Sequence, residues 1–537
     1  MARTGRILAL LALLLLGAAC RHDEIVEAPD TLKYVLVLGS SITLPQNGSA
    51  ELSFRIKDEG YPLNIDLGSP ACQVRLQMRD GSEPVYFGIT ALARADEPGL
   101  YLATISDKGV ETDYSEDACI VIVQRSDLGI ESYVSSFFVE IRSEDSGFNT
   151  IVRTGLPVVY VDTENGKAVT SKTVEVPAVL QIKGNAAYPG QTAVKCNIRG
   201  RGNTTWSWPK KPYLVKLESK TSLLGMPAHK RWVLLANFMD RTLMRNLIAM
   251  KVASMTSLDW TPRCVPVELV LNGKHVGSYL LIEQVRVDKN RIPISEEKGY
   301  VLECDFHYDN KVQWIDRHGS CWGVSGGIPF GIKHPDPDEI TTPQLSYIKS
   351  YINGAASAIY GKDFKDPSKG YAAWIDVDSF IDYWIVFEVM GNHELNNPGS
   401  VFFHLDAGGK LIAGPCWDFD WGVLSYTANP GAQTGLICKN ALWYSRLFED
   451  PEFAAKVKAR FNELLPQLQT IPSYIDECEA RLRESAELNF QMWDPSQDAT
   501  MNGGRIINGD ERMSYSDAVK RIRKIYQERL KIMSEKL

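Results

Sequence analysis

The sequence predicts a multidomain protein, with an N-terminal all-β sandwich of Ig-like size over residues 32–148 followed by a large α+β domain over 155–537. Three observations carry this reading. The 537 residues exceed what one core holds at about 100–200 residues per domain. From Leu32 to Phe148, short alternating runs are cut by Gly, Pro, Asn and Asp, and no long helical period appears. Beyond them, strand-like and helix-like runs are mixed. A hydrophobic content of 44% is ordinary for a folded soluble chain and argues against disorder and against a polytopic membrane protein. The balance of 58 basic against 66 acidic residues, net −8, sets aside nucleic-acid binding by phosphate neutralisation. Twelve Trp and 22 Tyr leave glycan or peptide binding open.

In chain order, Arg3 and Arg6 precede an apolar run from Ile7 to Leu16, and Gly17-Ala18-Ala19-Cys20 follows. A basic start, a short apolar stretch and small residues before a cleavage point describe a secretory signal, too short to span a bilayer comfortably. The Leu16–Cys20 ending resembles the bacterial lipobox, which implies a signal peptide over 1–19, lipidation of Cys20 and a polar tether over 20–31. Loss of Arg3 and Arg6 makes the mature chain more acidic. Asp23 and Glu24 resemble the surface-export signal of Bacteroidetes lipoproteins. The expected location is the cell envelope, lipid-anchored to the membrane through Cys20, at the periplasmic face or outer surface of the outer membrane.

Of the ten cysteines, nine remain once Cys20 carries lipid, so at least one cannot pair within the chain. Cys72 and Cys119 share the N-terminal region and are the expected disulfide. No CxxC spacing occurs, and a zinc site has little support.

Within the sandwich region, Tyr34 to Leu38, Ala50 to Ile56, Cys119 to Val123 and Ser136 to Ile141 read as strands, and 143–147 as a linker. This module resembles the small β-sandwiches that precede catalytic or binding domains in Bacteroidetes lipoproteins, and its simplest role is that of a spacer. Further on, strands are expected at 173–182, 192–198, 213–217 and 265–271. Helices are expected at 241–257, capped by Asp240, and at 379–390, with Phe380, Trp384 and Phe387 on one apolar face. The tail, 514–537, reads as an amphipathic helix through Ala518, Ile522, Ile525 and Leu530.

Three clusters carry chemistry. In the first, Arg199-Gly200-Arg201-Gly202-Asn203 leads to Trp206, then to Lys210-Lys211-Pro212-Tyr213 and on to Lys216. Two glycines after a strand let backbone amides approach an anion, and the basic residues would neutralise phosphate; a solvated basic hairpin is the plainer alternative. Lys216 sits mid-strand between apolar neighbours, so it either snorkels or faces a pocket. In the second, Trp417-Asp418-Phe419-Asp420-Trp421, an extended segment would aim Asp418 and Asp420 the same way, as a Mg²⁺ grip requires. The alternative has one carboxylate capping a turn and the other exposed. The third, Gly391-Asn392-His393-Glu394-Leu395-Asn396-Asn397-Pro398, is a loop dense in general-base and metal-ligand groups. A hairpin (401–405 and 410–413) separates the third cluster from the second.

Protein kinases place their catalytic base and metal-binding Asp in this order of helix, polar loop, hairpin and Asp. Residues from about 155 to 537 resemble the CotH kinase family. The blocks that carry the likeness are Arg199–Trp206 with Lys210–Tyr213 and Lys216, Leu223–Pro227, Trp232–Asn237 with Asp240-Arg241-Thr242 and Arg245-Asn246, Gly277–Gln284 and Trp417–Asp420. The resemblance implies an atypical protein-kinase-like fold that binds ATP with Mg²⁺ or Mn²⁺ and phosphorylates protein serine or threonine. On matching positions, Asp418 would bind metal, joined by Asp420 and by Asn396 or Asn397. Lys216 would contact phosphate, and Arg201 and Asn203 fall in the phosphate loop. Glu283 falls where such a fold runs into its hinge, and Lys216 lacks a clear glutamate partner. The family's catalytic Asp falls at or beside Glu394, a departure whose extra methylene moves the carboxylate by about the 1 Å that can cost 10²-fold. His393 is the other candidate base.

Export and kinase activity pull against each other, because the envelope offers little ATP. Three outcomes follow: phosphorylation of an exported protein, use of the pocket for another phosphorylated or acidic ligand, or a pseudokinase serving as a cell-surface binding module for glycan or protein.

Overall fold

The computed structural model describes residues 34–537, apart from 39–40, 46–47, 59–60, 63, 67–68, 70–71, 110–113, 127–128, 143–149, 151, 308–309 and 499–506. The signal, Cys20, the tether and the linker at 143–147 lie outside the described residues. The chain divides into two compact units at Glu144/Asp145. Among the described residues, no helix is long and apolar enough to cross a membrane.

The first unit is β-rich. Strands β1 (Tyr34–Leu38), β2 (Ser41–Pro45), β3 (Ser49–Asp58), β4 (Tyr61–Pro62), β5 (Cys72–Met78), β6 (Phe87–Arg94), β7 (Leu100–Asp107), β8 (Tyr114–Ser126) and β9 (Gly129–Arg142) form two sheets. One runs β1-β3-β7-β6 with β4 beside β3, and the other runs β2-β9-β8-β5. Period-two burial is clear on β7, where Tyr101, Ala103 and Ile105 are buried. The expected Cys72–Cys119 disulfide is absent. The register of β5 on β8 sets Cys72 opposite Gln124 and Cys119 opposite Gln77. Five residues of strand, about 17 Å, separate the two thiols, beyond the reach of a bridge. Both are free, as are the other seven described cysteines.

The second unit begins with seven strands: β10 (Val158–Thr163), β11 (Val176–Lys183), β12 (Gln191–Gly200), β13 (Tyr213–Thr221), β14 (His229–Leu235), β15 (Cys264–Leu271) and β16 (Lys274–Glu283). They close into a barrel in the order β10-β11-β12-β13-β14-β16-β15, antiparallel except where β10 meets β15. One face of each strand supplies the apolar interior, including Ile198, Val215, Trp232 and Leu281. The alternate residues Leu214, Val233, Leu280 and Ile282 join a larger core shared with the rest of the unit.

That remainder holds a five-stranded sheet in the order β18-β19-β17-β20-β21, made of β17 (Tyr300–Cys304), β18 (Gln313–Asp316), β19 (Ile328–His334), β20 (Val401–Leu405) and β21 (Ile412–Ala413). Its main helices are α1 (Arg245–Ala253), α2 (Thr342–Tyr360), α3 (Val377–Val389), α4 (Pro451–Leu468), α5 (Ile471–Met492) and α6 (Tyr515–Lys536). Helix α1 starts four residues later than its pattern predicts. Asp240 first forms a turn, accepting from Thr242 N, and its other oxygen accepts from Arg245 N at 2.8 Å. Leu243, at φ 57°, takes the left-handed geometry of that turn. Helix α3 is not one-sided: every residue from Ser379 to Val389 is buried. Its polar residues survive burial because they are paired. Glu388 accepts from Ile437 N, Cys438 N and Arg529 of α6. The tail matches its pattern, with Ser514 capping Asp517 N and Ala518, Ile522, Ile525 and Leu530 buried.

Lys210 departs from the solvated-hairpin alternative. It is fully buried, and its ammonium donates to Ala236 O at 2.9 Å, to Ser278 O and to Asn489 Oδ1 of α5 at 2.6 Å. Three acceptors match three protons, and the Tyr279 ring lies 4.5 Å away. Lys210→Met removes the shared donor of Ala236 O and Ser278 O, while Asn489 Oδ1 keeps Ser278 N at 3.2 Å, and is expected to lower stability by about 2 kcal/mol in denaturant titration, at roughly 1 kcal/mol or more per group that loses its donor. A change under 1 kcal/mol would refute this role.

Candidate functional site

The polar loop after α3 is held from both sides. Gly391 takes φ 60°, and its carbonyl accepts from the buried Asn429, which also donates to Gly422 O. Leu424 N donates to Met390 O at 2.9 Å, so the end of α3 is tied to the segment that follows Asp420. A single 3₁₀ turn, His393–Leu395, places Glu394, with Asn392 Oδ1 accepting from Glu394 N at 2.9 Å.

The Asp418–Asp420 segment is not the extended strand expected. Asp418 adopts φ 64°, which breaks the alternation that would aim both carboxylates one way. Ser400 donates to Asp418 Oδ2 at 3.4 Å. Phe419 turns inward onto Phe387, 4.8 Å between ring centres, and its N–H donates to Asn246 Oδ1 at 2.7 Å. Asn508 completes the clamp, accepting from Gly422 N at 2.9 Å and donating to Asp420 O at 3.1 Å. Three asparagines from distant parts of the chain thus fix a segment with no regular secondary structure. Only Asn246 belongs to a block the sequence singles out.

The fold brings Glu394, Asp418 and Asp420 into one half-buried electronegative spot. Burial pushes the Glu394 carboxyl well above its usual range, and Asp418, Asp420 and Asp305 add to the rise. Asp420 is raised in the same way by burial, Asp418 and Asp240, with Arg201 opposing. Glu394 Oε2 is buried without a hydrogen-bond partner. His393 lies beside them, with Nδ1 unpartnered and its basicity lowered by burial. Its ring packs against Gly422, where a Cβ would come within 3.3 Å of Cε1. The Asn397 carboxamide oxygen sits 2.9 Å from where a Cβ on Gly323 would stand. Asn396 donates to Ile437 O. Among the described residues no group of three or more His, Cys, Asp or Glu forms a metal cage.

The basic loop contributes unevenly. Arg201 is half-buried, 5.7 Å above the Trp417 ring and within electrostatic reach of Asp420. Asn203 is exposed at the loop tip and its side chain caps nothing. Lys216 pairs across strands with Asn197 and with Arg231, so all three project from the outer face of the barrel. Arg199 shares that face, opposite Leu214. Glu283 does not: it lies opposite Trp232, on the other face of the sheet. Its carboxylate is taken up by the Trp260 indole, Arg263 N and the Arg263 guanidinium. Arg231 and Arg286, absent from any motif, join the outer row. The signal that locates them is strand register, which one sequence does not display.

A β-barrel whose outer face carries basic side chains, followed by a helical part that presents His393 and Glu394 on a clamped loop, makes this unit a mixed α/β domain. The family model described as CotH kinase protein matches residues 198–533. The match covers more than half of the chain, and the chain belongs to the CotH kinase family, whose domain suggests a kinase-like function. No curated protein matches the chain.

Proposed function

We propose that this chain is an atypical kinase that transfers phosphate from ATP to serine or threonine of an exported protein. The observation that supports the reading is the meeting of three carboxylates, Glu394, Asp418 and Asp420, with the basic residue Arg201 within electrostatic reach of Asp420. A divalent cation fits this chemistry. Mg²⁺ commonly takes one or two protein carboxylates and completes its shell with water and phosphate oxygens, so a three-residue cage is not required. The mutually repelling, half-buried Asp418 and Asp420 are the residues that would hold Mg²⁺ or Mn²⁺, and the cation would neutralise charge on the transferring group. Lys216 and Arg201 bind phosphate, with backbone amides near Asn203 in support. Glu394 takes the proton of the acceptor hydroxyl once its acidic surroundings are compensated, and His393 is the alternative acceptor.

In this reading the kinase-like unit is lipid-anchored to the envelope through Cys20, and the first unit is an Ig-like sandwich acting as a spacer. The test is incubation of residues 21–537 with labelled ATP and Mg²⁺ or Mn²⁺. Label on the protein itself or on a casein-like substrate is the expected result. Neither transfer nor a nucleotide-dependent thermal shift would overturn it in favour of a pseudokinase or a surface binding module, for which a glycan array is the next measurement. Separately, Cys20→Ser is expected to release the protein from membranes.

A further inference from the structure

The outer face of the barrel carries more positive charge than the catalytic carboxylates use. Strand register aligns Arg199 of β12, Lys216 of β13 and Arg231 of β14 on that face. Gln284 directly follows the end of β16, and Arg286, two residues on, extends the row within electrostatic reach of Arg231 and Arg199. From β12 to β16 the row crosses three interstrand spacings, about 14 Å. Among the described residues, Lys216, Arg231 and Arg286 form no ion pair and no side-chain hydrogen bond. Arg286 Nε and Gln284 Oε1 are buried and unpartnered. Glu175 offsets Arg199 in part, and Asp336 offsets Arg286 in part, while Arg199, Arg231 and Arg286 repel one another. Half-buried guanidinium groups held together against their own repulsion are stabilised by a bound anion.

The shape of the row narrows the ligand. A nucleotide concentrates its phosphates at one end and requires an apolar slot for its base. The apolar residues of this face, Leu214 opposite Arg199 and Val233 beside it, are covered by the core and leave no open slot for a base, while the polar neighbours of the cations are the amides Asn197 and Gln284. Arg201 lies within electrostatic reach of both Arg199 and Asp420, and so continues the positive charge toward the carboxylates. We propose that this row binds linear inorganic polyphosphate, threaded along Arg286, Arg231, Lys216 and Arg199 with its end delivered at Arg201. Resting on the kinase reading above, the chain then acts as phosphoryl donor in a compartment poor in ATP. The terminal P–O–P bridge breaks, a P–O bond to the acceptor hydroxyl forms, the hydroxyl proton passes to Glu394, and a chain one phosphate shorter leaves.

The test uses the soluble chain, residues 21–537, with medium-length inorganic polyphosphate, ATP and polyglutamate as separate probes, read by calorimetry and thermal shift. Polyphosphate is expected to bind, and the pair Arg231→Gln with Arg286→Gln to weaken it at least tenfold while leaving ATP binding within twofold. Arg231→Lys with Arg286→Lys controls for folding and should keep most of the affinity. Polyphosphate binding unaffected by the glutamine pair, or matched by polyglutamate, overturns the inference. ATP binding without polyphosphate binding overturns it and leaves the kinase reading standing. Binding of neither sinks both.

Discussion

Asp418→Asn is expected to bring phosphate transfer below detection while the protein stays folded, and Glu394→Gln to lower it by about 10²–10⁴, the usual worth of a positioned general base. Asparagine is the informative replacement at 418 because the backbone there is left-handed, at φ 64°. Asn tolerates that geometry, whereas alanine adds a backbone cost of about 1–2 kcal/mol and confuses folding with chemistry. At 394 the two effects separate by sign. Burial, with Asp418, Asp420 and Asp305 adding to it, pushes the Glu394 carboxyl well above its usual range. A carboxyl raised in the folded state contributes stability that is full below its unfolded value and is lost as pH rises through its folded value. Glu394→Gln should therefore gain in melting temperature relative to wild type as pH rises from acid to neutral, while losing activity. Melting curves from pH 4 to 8 with parallel transfer assays check this. Equal pH dependence in the two proteins would show that Glu394 is not in the environment described. Glu394→Asp, which shortens the side chain by one methylene, distinguishes a base whose reach is tuned from one that is merely tolerated.

The largest structural effect is expected from Arg245→Met, at about 3–5 kcal/mol of lost stability. Arg245 has no solvent exposure and lies between two equally buried carboxylates, Asp240 and Asp510, with Nε donating to Val423 O at 2.8 Å. Burial opposes its charge, but the two aspartates hold the guanidinium firmly protonated. Removing it leaves Asp240 without its cation and Asp510 with only the longer pair to Arg521 at 4.0 Å, and adds to the negative potential around Asp420, which already feels Asp240. Adding Asp510→Asn to Arg245→Met removes one of these two charges and should recover part of the loss, a coupling that a double-mutant cycle in urea measures directly. Strict additivity would show that the triad is not a unit. Because Asp240 also organises the turn before α1, and α1 carries Asn246 to the Phe419 amide, the same variant should disturb the Asp418 segment.

The order of elements was legible because periodicity is a local property. Strands at β11, β12, β13 and β15, the hairpin β20–β21 and the tail helix α6 follow from alternation and helical spacing alone. The helix pattern misled where packing rather than amphipathicity sets the face. Helix α3 is buried all round, and Asp382 and Glu388 survive there through partners far away in sequence, among them Arg460 and Arg529. At 241–257 the apolar spacing ran through residues that a side-chain-bonded turn claims first. The expected disulfide failed on register, which no cysteine count reveals.

The sequence by itself determined that the chain carries the family's blocks in order, and that Asp418, Asp420, His393 and Glu394 lie on two segments framed by a helix and a hairpin. Those are facts of composition and spacing. Tertiary structure decided which groups meet. It set Glu394 against Asp418 and Asp420, turned Glu283 away from Lys216 by the two-residue period of a strand, and buried Lys210 as a strut. It also assembled Arg199, Lys216, Arg231 and Arg286 into one row from strands separated in the chain. Proximity across a barrel is fixed by closure and register, and charge acts through that proximity, so the electrostatics of the site exist only once the chain has folded.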